Sequence, residues 1–93
     1  MKAKLVERDR IPVGDDEVVE IVVWIVPAPV RGSSHTYKYR LAYVVEEKCV
    51  LRYDNEAGKG DHVHFAGAEQ AYEFTTLNQL LRDFWRDVER LSA

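Results

Sequence analysis

A chain of 93 residues has room for one small domain, 1–93, and no second core. Its composition, 46% hydrophobic and 31% charged, excludes a disordered, collagen-like or low-complexity protein. Thirteen Lys and Arg against sixteen Asp and Glu leave a net charge of −3, so any basic surface for nucleic acid must be local. The lone cysteine, Cys49, excludes an intramolecular disulfide and reads as a small buried hydrophobe in the run Cys49-Val50-Leu51. The first ten residues are too charged for a signal h-region, and the longest strongly apolar run, Ile21 to Val26, is far short of a membrane span. A cytoplasmic protein with no membrane partner is expected.

In chain order, residues 3–11 alternate weakly, with Ala3, Leu5 and Ile11 on one parity and Lys4, Arg8 and Arg10 on the other. This predicts a strand ending near Pro12, followed by a turn at Gly14-Asp15. Residues 17–26 are β-branched or aromatic except for Glu17 and Glu20, and both parities are apolar. Such a strand is central, or its second face meets a partner. The stretch Pro27 to Ser34 is a loop. Residues 37–45 alternate cleanly, with Tyr37, Tyr39, Leu41, Tyr43 and Val45 on one face. Residues 49–54 repeat the pattern with Cys49, Leu51 and Tyr53. Side chains directly opposite each other share a face, so odd positions must oppose odd positions. A three-residue loop, Glu46-Glu47-Lys48, satisfies that parity. Asp54 to Gly60 reads as a loop, with short strands near 62–65 and 71–74. The chain ends in an amphipathic helix carrying Leu77, Leu80, Leu81, Phe84, Trp85, Val88 and Leu91 at i, i+3, i+4 spacing. Thr76 is its N-cap, and Gln79 completes a capping box. The fold class is α+β, a twisted antiparallel sheet of four to six strands with one C-terminal helix packed on one face.

The uncovered face is where chemistry can lie. Lys4, Arg8, Arg10, Lys38, Arg40 and Arg52 share even parity and would make it basic, able to neutralise phosphates while nearby tyrosines stack on bases. A solvated face balanced by Glu17, Glu20 and Glu46 is the plainer alternative. His62 and His64 point the same way in an extended segment. Such a pair can ligate a metal with Asp61 or His35, act as acid and base on a phosphodiester, or be surface residues of an edge strand. Without further Cys or His, the pattern is read as metal-independent, with no metal and no other cofactor. Acid–base cleavage of RNA needs a base, an acid and a cation near the nonbridging oxygens. His62, His64 and His35 are the candidate catalytic histidines, and Lys38 and Arg40 the candidate phosphate-binding residues. The Gly58-Lys59-Gly60 backbone is a candidate source of amide donors. Asp54 and Asn55 are alternatively turn formers. Ser34, His35 and Asp54 lack the nucleophile elbow of a hydrolase triad.

Two stretches carry a family resemblance. They are Ser33-Ser34-His35-Thr36-Tyr37-Lys38-Tyr39-Arg40-Leu41-Ala42-Tyr43 and Tyr53-Asp54-Asn55-Glu56-Ala57-Gly58-Lys59-Gly60-Asp61-His62-Val63-His64. With the C-terminal helix they resemble the TumE-like toxins of prokaryotic toxin–antitoxin modules, over nearly the whole chain. The resemblance implies a toxin partnered by a helix-turn-helix antitoxin, and it places interest on Asp54, Asn55, His62 and His64, and on His35, Lys38 and Arg40. The chemistry of those residues adds RNA cleavage, with Asp54 beside the histidines and Asn55 and Lys59 beside the substrate. An antitoxin, or a second copy in a homodimer, would cover the second apolar face of residues 18–26. The alternative is a non-catalytic module that binds protein or nucleic acid through the sheet. A metal-dependent phosphodiesterase is a third reading.

Overall fold

A computed structural model describes residues 2–92. Six strands, β1 (Lys4–Gly14), β2 (Glu17–Ile25), β3 (Tyr37–Val45), β4 (Lys48–Glu56), β5 (Gly60–Phe65) and β6 (Ala68–Ala71), precede helix α1 (Leu77–Ser92) among the described residues. The strands form one antiparallel sheet in chain order. The α+β class expected from the sequence is the one found. The final strand lies at 68–71 rather than 71–74, because the left-handed pair Ala66 and Gly67 turns the chain immediately after β5.

The core lies between the helix and one sheet face. Val19, Ile21 and Val23 of β2, Tyr39, Leu41 and Tyr43 of β3, and Leu51 and Tyr53 of β4 meet Leu80, Phe84 and Val88. The alternation of these strands explains why one parity is buried, and the helical spacing explains why Leu80, Phe84 and Val88 reach it together. Tyr53 and Phe84 pack edge to face, with centroids 5.7 Å apart.

The β3–β4 hairpin obeys the expected parity by a different route. Leu41 opposes Tyr53 and Tyr43 opposes Leu51, but the turn has only two residues, Glu46 and Glu47, and a bulge between Tyr43 and Val44 absorbs Val50 as the extra residue. Both turn residues are left-handed, at φ 50° and 67°, which matches the twist of a hairpin better than a wider loop. The bulge brings Cys49 opposite Val44 on the face away from the helix, so Cys49 is exposed rather than buried. A second bulge, between Leu5 and Glu7, inverts the parity at the start of β1. Leu5 opposes Trp24 on the outer face and Lys4 opposes Ile25, so Lys4 leaves the basic set. Edge strand β1 also runs past Pro12 to Gly14; an edge tolerates a residue without an amide hydrogen.

Tyrosines from the sheet side tie the helix down. The Tyr72 hydroxyl donates to Asp83 Oδ2 at 2.6 Å, and the Tyr53 hydroxyl donates to Asp87 Oδ2. Thr76 Oγ1 accepts the Gln79 amide at 3.1 Å, as an N-cap should. The Gln79 side chain does not return to close a capping box; it donates to Asp83 Oδ1 at 2.8 Å. Burial by itself would raise the Asp83 pKa, but the hydrogen bonds from Tyr72 and Gln79 and the Arg86 charge outweigh it and hold the carboxyl below its ordinary value.

Two outcomes are expected. Left-handed geometry disfavours L-residues with a Cβ, so the double change Glu46→Asn, Glu47→Gly should raise unfolding stability in urea by about 1–2 kcal/mol. No gain would mean that the turn is unstrained. Because its folded-state pKa is depressed, Asp83 contributes stability above its unfolded pKa of about 3.9, and the contribution is lost as pH falls through the folded value. Asp83→Asn should therefore show a shallower loss of stability on acidification below pH ~4, followed by circular dichroism. Superimposable acid limbs would remove Asp83 from helix docking.

Candidate functional site

The register of the sheet lines up side chains from successive strands in rows across the outer face. One row runs Arg8, Val22, Arg40, Asp54, His62, Ala71. The next runs Arg10, Glu20, Ala42, Arg52, His64, Glu69. A shorter row holds Leu5, Trp24 and Lys38. Arg8, Arg10, Lys38, Arg40 and Arg52 thus share the uncovered face, as their parity predicts. Tyr39, Tyr43 and Tyr53 pack in the core, so the tyrosines are not stacking groups on this face. The aromatic ring there is Trp24, with the Arg8 guanidinium 5.8 Å from its centroid.

Asp54, His62 and His64 meet in the middle of the two long rows. β4 extends to Glu56, so Asp54 lies in a strand rather than a loop, and its even position turns it outward. His62 Nε2 lies 2.7 Å from Asp54 Oδ1, and His64 Nε2 lies 3.9 Å from the same oxygen. Asp54 Oδ2 is ion-paired with Arg52 Nε at 2.9 Å, without hydrogen-bond geometry. His62 Nδ1 donates to the Gly60 carbonyl at 2.9 Å. Glu69 Oε1 lies 3.8 Å from His62 Nε2 and its Oε2 lies 3.8 Å from His64 Nδ1. His62 is only 2% exposed and Asp54 5%, whereas His64 is half-buried at the rim. Lys59 reaches Glu69 at 3.6 Å, at the edge of the cluster. Arg40 is exposed and makes no ion pair among the described residues, and the Lys38 ammonium donates to the Asn55 carbonyl. Arg52 and Glu69 are the members that sequence reasoning did not place in the site. The Ala66-Gly67 turn signal would have paired Glu69 with His64.

His35 is not brought to this cluster. It sits with Asp61 on the helix side of the sheet, stacked on Phe74 at 3.7 Å between centroids. Its Nε2 donates to Asp61 Oδ2 at 2.7 Å, and its Nδ1 accepts the Tyr37 amide at 3.1 Å, so both ring nitrogens are engaged. Asp61 also accepts from Ser33 at 2.6 Å and from the Tyr39 hydroxyl at 2.7 Å. Burial would raise the Asp61 pKa, but these donors outweigh it and hold the carboxyl low. Asn55, fully buried, accepts the Tyr39 amide at 3.0 Å and donates to the Tyr37 carbonyl at 2.7 Å and to Ser33 at 3.2 Å. Together these groups fasten the loop between β2 and β3 onto the end of β5. The third partner of the two histidines is therefore Asp54, not Asp61 or His35.

The glycine loop has the same fastening task. The Gly58 amide donates to the Arg31 carbonyl at 2.8 Å and the Lys59 amide to the Glu56 carbonyl at 3.0 Å, so these donors are not available to a phosphate. Gly60, at φ +72°, meets Gly32, and a Cβ on Gly60 would lie 2.4 Å from the Gly32 carbonyl oxygen. Gly60→Ala should consequently cost about 2–4 kcal/mol, from left-handed strain and backbone overlap, measured by urea unfolding. A loss under about 1 kcal/mol would show that this crossing is not required.

Among the described residues, no helix is long and apolar enough to cross a membrane. Neither the curated proteins nor the solved structures yield a match. The family model described as toxin TumE matches residues 2–92, nearly the whole chain, on which the expected resemblance rested. The chain belongs to the toxin TumE family.

Proposed function

We propose that this toxin acts by cleaving RNA, at the outer-face cluster of Asp54, His62 and His64. The observation that carries the reading is the pair of cross-strand rows. They bring a carboxylate, two imidazoles and two arginines side by side on a face the helix leaves open. Phosphodiester cleavage needs the attacking oxygen activated and the charge on the nonbridging oxygens stabilised. The histidine pair with Asp54 supplies the first need. It acts as a unit, since His62 is too buried to exchange protons with substrate alone and His64 forms the open side. Arg40, exposed beside Asp54, supplies the second, with Lys38 one row away. Arg8 and Arg10 extend the cationic track along β1, and Trp24 offers a stacking surface for a base. With RNA as substrate, the cytoplasm is the compartment we propose.

Toxin family membership implies an antitoxin partner. A helix-turn-helix antitoxin fits the apolar end of the same face, where Leu5 is 45% exposed beside half-buried Val22 and Trp24. An antitoxin seated there would block the cationic track. A second copy of the chain is the other occupant of matching chemistry.

The test is cleavage of total cellular RNA by the purified chain, free of antitoxin, with divalent cations and in chelator. Arg40→Ala should lower the rate about 10²-fold while the circular dichroism spectrum stays unchanged, and raised salt should weaken RNA binding. Wild-type protein that is folded and binds RNA without cleaving it under either condition would overturn the proposal in favour of a non-catalytic binding module.

A further inference from the structure

Among the described residues, the buried side-chain nitrogen and oxygen atoms that find no hydrogen-bond partner are Arg52 Nε, Asp54 Oδ1, His62 Nε2 and His64 Nε2. All belong to one cluster. Unsatisfied buried polar groups cost about 1–3 kcal/mol each. Arg52 Nε has the Asp54 carboxylate beside it, and the other three atoms converge on one point. The hydrogen bonds around the cluster indicate its charge. His62 Nδ1 holds its proton against the Gly60 carbonyl, which turns the other ring nitrogen, Nε2, toward Asp54 Oδ1. A ring nitrogen and a carboxylate oxygen then face each other at 2.7 Å without hydrogen-bonding geometry. A cation held by both atoms relieves that arrangement, and the geometry is not that of a shared proton.

We propose that Asp54, His62 and His64 form a site for a divalent first-row transition-metal ion, of which Zn²⁺ is the representative. This deepens the reading of the cluster as a phosphodiester-cleaving centre by naming what it holds, and it revises the expectation of a metal-independent site. Ligand atoms of the three side chains lie within 4.8 Å of one another. A tetrahedral ion with bonds of about 2.0–2.1 Å needs its ligands about 3.3 Å apart. The observed separations from Asp54 Oδ1, 2.7 Å to His62 and 3.9 Å to His64, lie on either side of that value. The two imidazoles, within the 4.8 Å span, would close by up to about 1.5 Å around the ion. Two imidazoles and a carboxylate suit such ions better than Mg²⁺ or Ca²⁺, which prefer all-oxygen shells.

The surroundings are those of a metal centre. Metal-binding histidines ordinarily donate their other ring N–H to a carbonyl or carboxylate, as His62 does to Gly60. Arg52 is ion-paired with Asp54 Oδ2, and Oδ1 is the oxygen turned to the histidines. Three protein ligands leave at least one position open. Arg40 lies opposite Asp54 on the neighbouring strand, so a phosphate held by Arg40 would lie beside the site. When bound, the ion would supply Lewis acidity to a phosphate oxygen or a water.

The test uses the full chain without a polyhistidine tag, stripped with chelator and titrated with Zn²⁺ by calorimetry, with Co²⁺ absorption as a second readout. One ion per chain and a rise in thermal unfolding midpoint are expected for wild type. His64→Gln and Asp54→Asn, each checked for folding by circular dichroism, should bind at least about 100-fold more weakly. Absence of binding by folded wild type, or equal binding in a folded variant, overturns the site. RNA provides the separation from the functional reading. A metal-loaded chain that does not cleave RNA leaves the site standing and removes the RNA reading. Cleavage in chelator by metal-free protein removes the site's catalytic occupant and leaves the RNA reading standing.

Discussion

Both faces of this protein depend on the register of the β3–β4 hairpin. With Leu41 opposite Tyr53, the odd positions of both strands face the helix, and with Arg40 opposite Asp54 the even positions face away. A slip of one residue would reverse both sets at once, exposing the tyrosines and burying the charged row. The two-residue turn and the bulge at Val50 hold this register between them. Core packing and site assembly thus rest on a single geometric choice, and neither can change without the other.

The two faces carry polar clusters of opposite character. On the helix side, Asp61 is saturated by Ser33, His35 and Tyr39, and Asn55 fills the gap where the β3–β4 ladder ends. Each donor there meets an acceptor, and the result is a fastened loop with the Gly32–Gly60 crossing at its base. On the outer side, the atoms of Asp54, His62 and His64 approach one another without satisfying one another. A saturated network stabilises the fold, whereas an unsaturated one retains binding capacity. The adjacent residues Asp61 and His62 belong to different clusters because successive strand residues point to opposite faces. Gly60 serves both, closing against Gly32 through its backbone and orienting His62 through its carbonyl.

The charge balance of the outer face follows the same logic. The chain is acidic overall, yet five basic side chains are gathered there because the cationic residues of β1, β3 and β4 share even parity. Asp54 and Glu69 reduce the positive potential at one end, where the histidines sit, and leave Arg40 and Arg8 dominant toward β1, where Arg10 is paired with Glu20 at 3.9 Å. A polyanion would therefore meet a graded surface, cationic along its length and carboxylate-lined at the histidines.

Much of this was legible from residues alone. The α+β class, the buried parity of β3, the helical stripe of Leu80, Phe84 and Val88, the N-cap at Thr76, and the basic outer parity all follow from periodicity, a local property of the chain, whereas β2 is apolar on both parities and its buried face does not follow from it. The His62–His64 pair was equally visible, since neighbours two apart in a strand share a face. What periodicity does not contain is the pairing partner. That Asp54 rather than Asp61 or His35 completes the pair, that Glu69 stands opposite His64, and that Cys49 and Lys4 change faces are consequences of inter-strand register and of bulges. These are set by contacts between residues distant in sequence, where one inserted residue inverts every side chain beyond it. The types of residue available for chemistry were decided locally, and tertiary structure decided which of them meet.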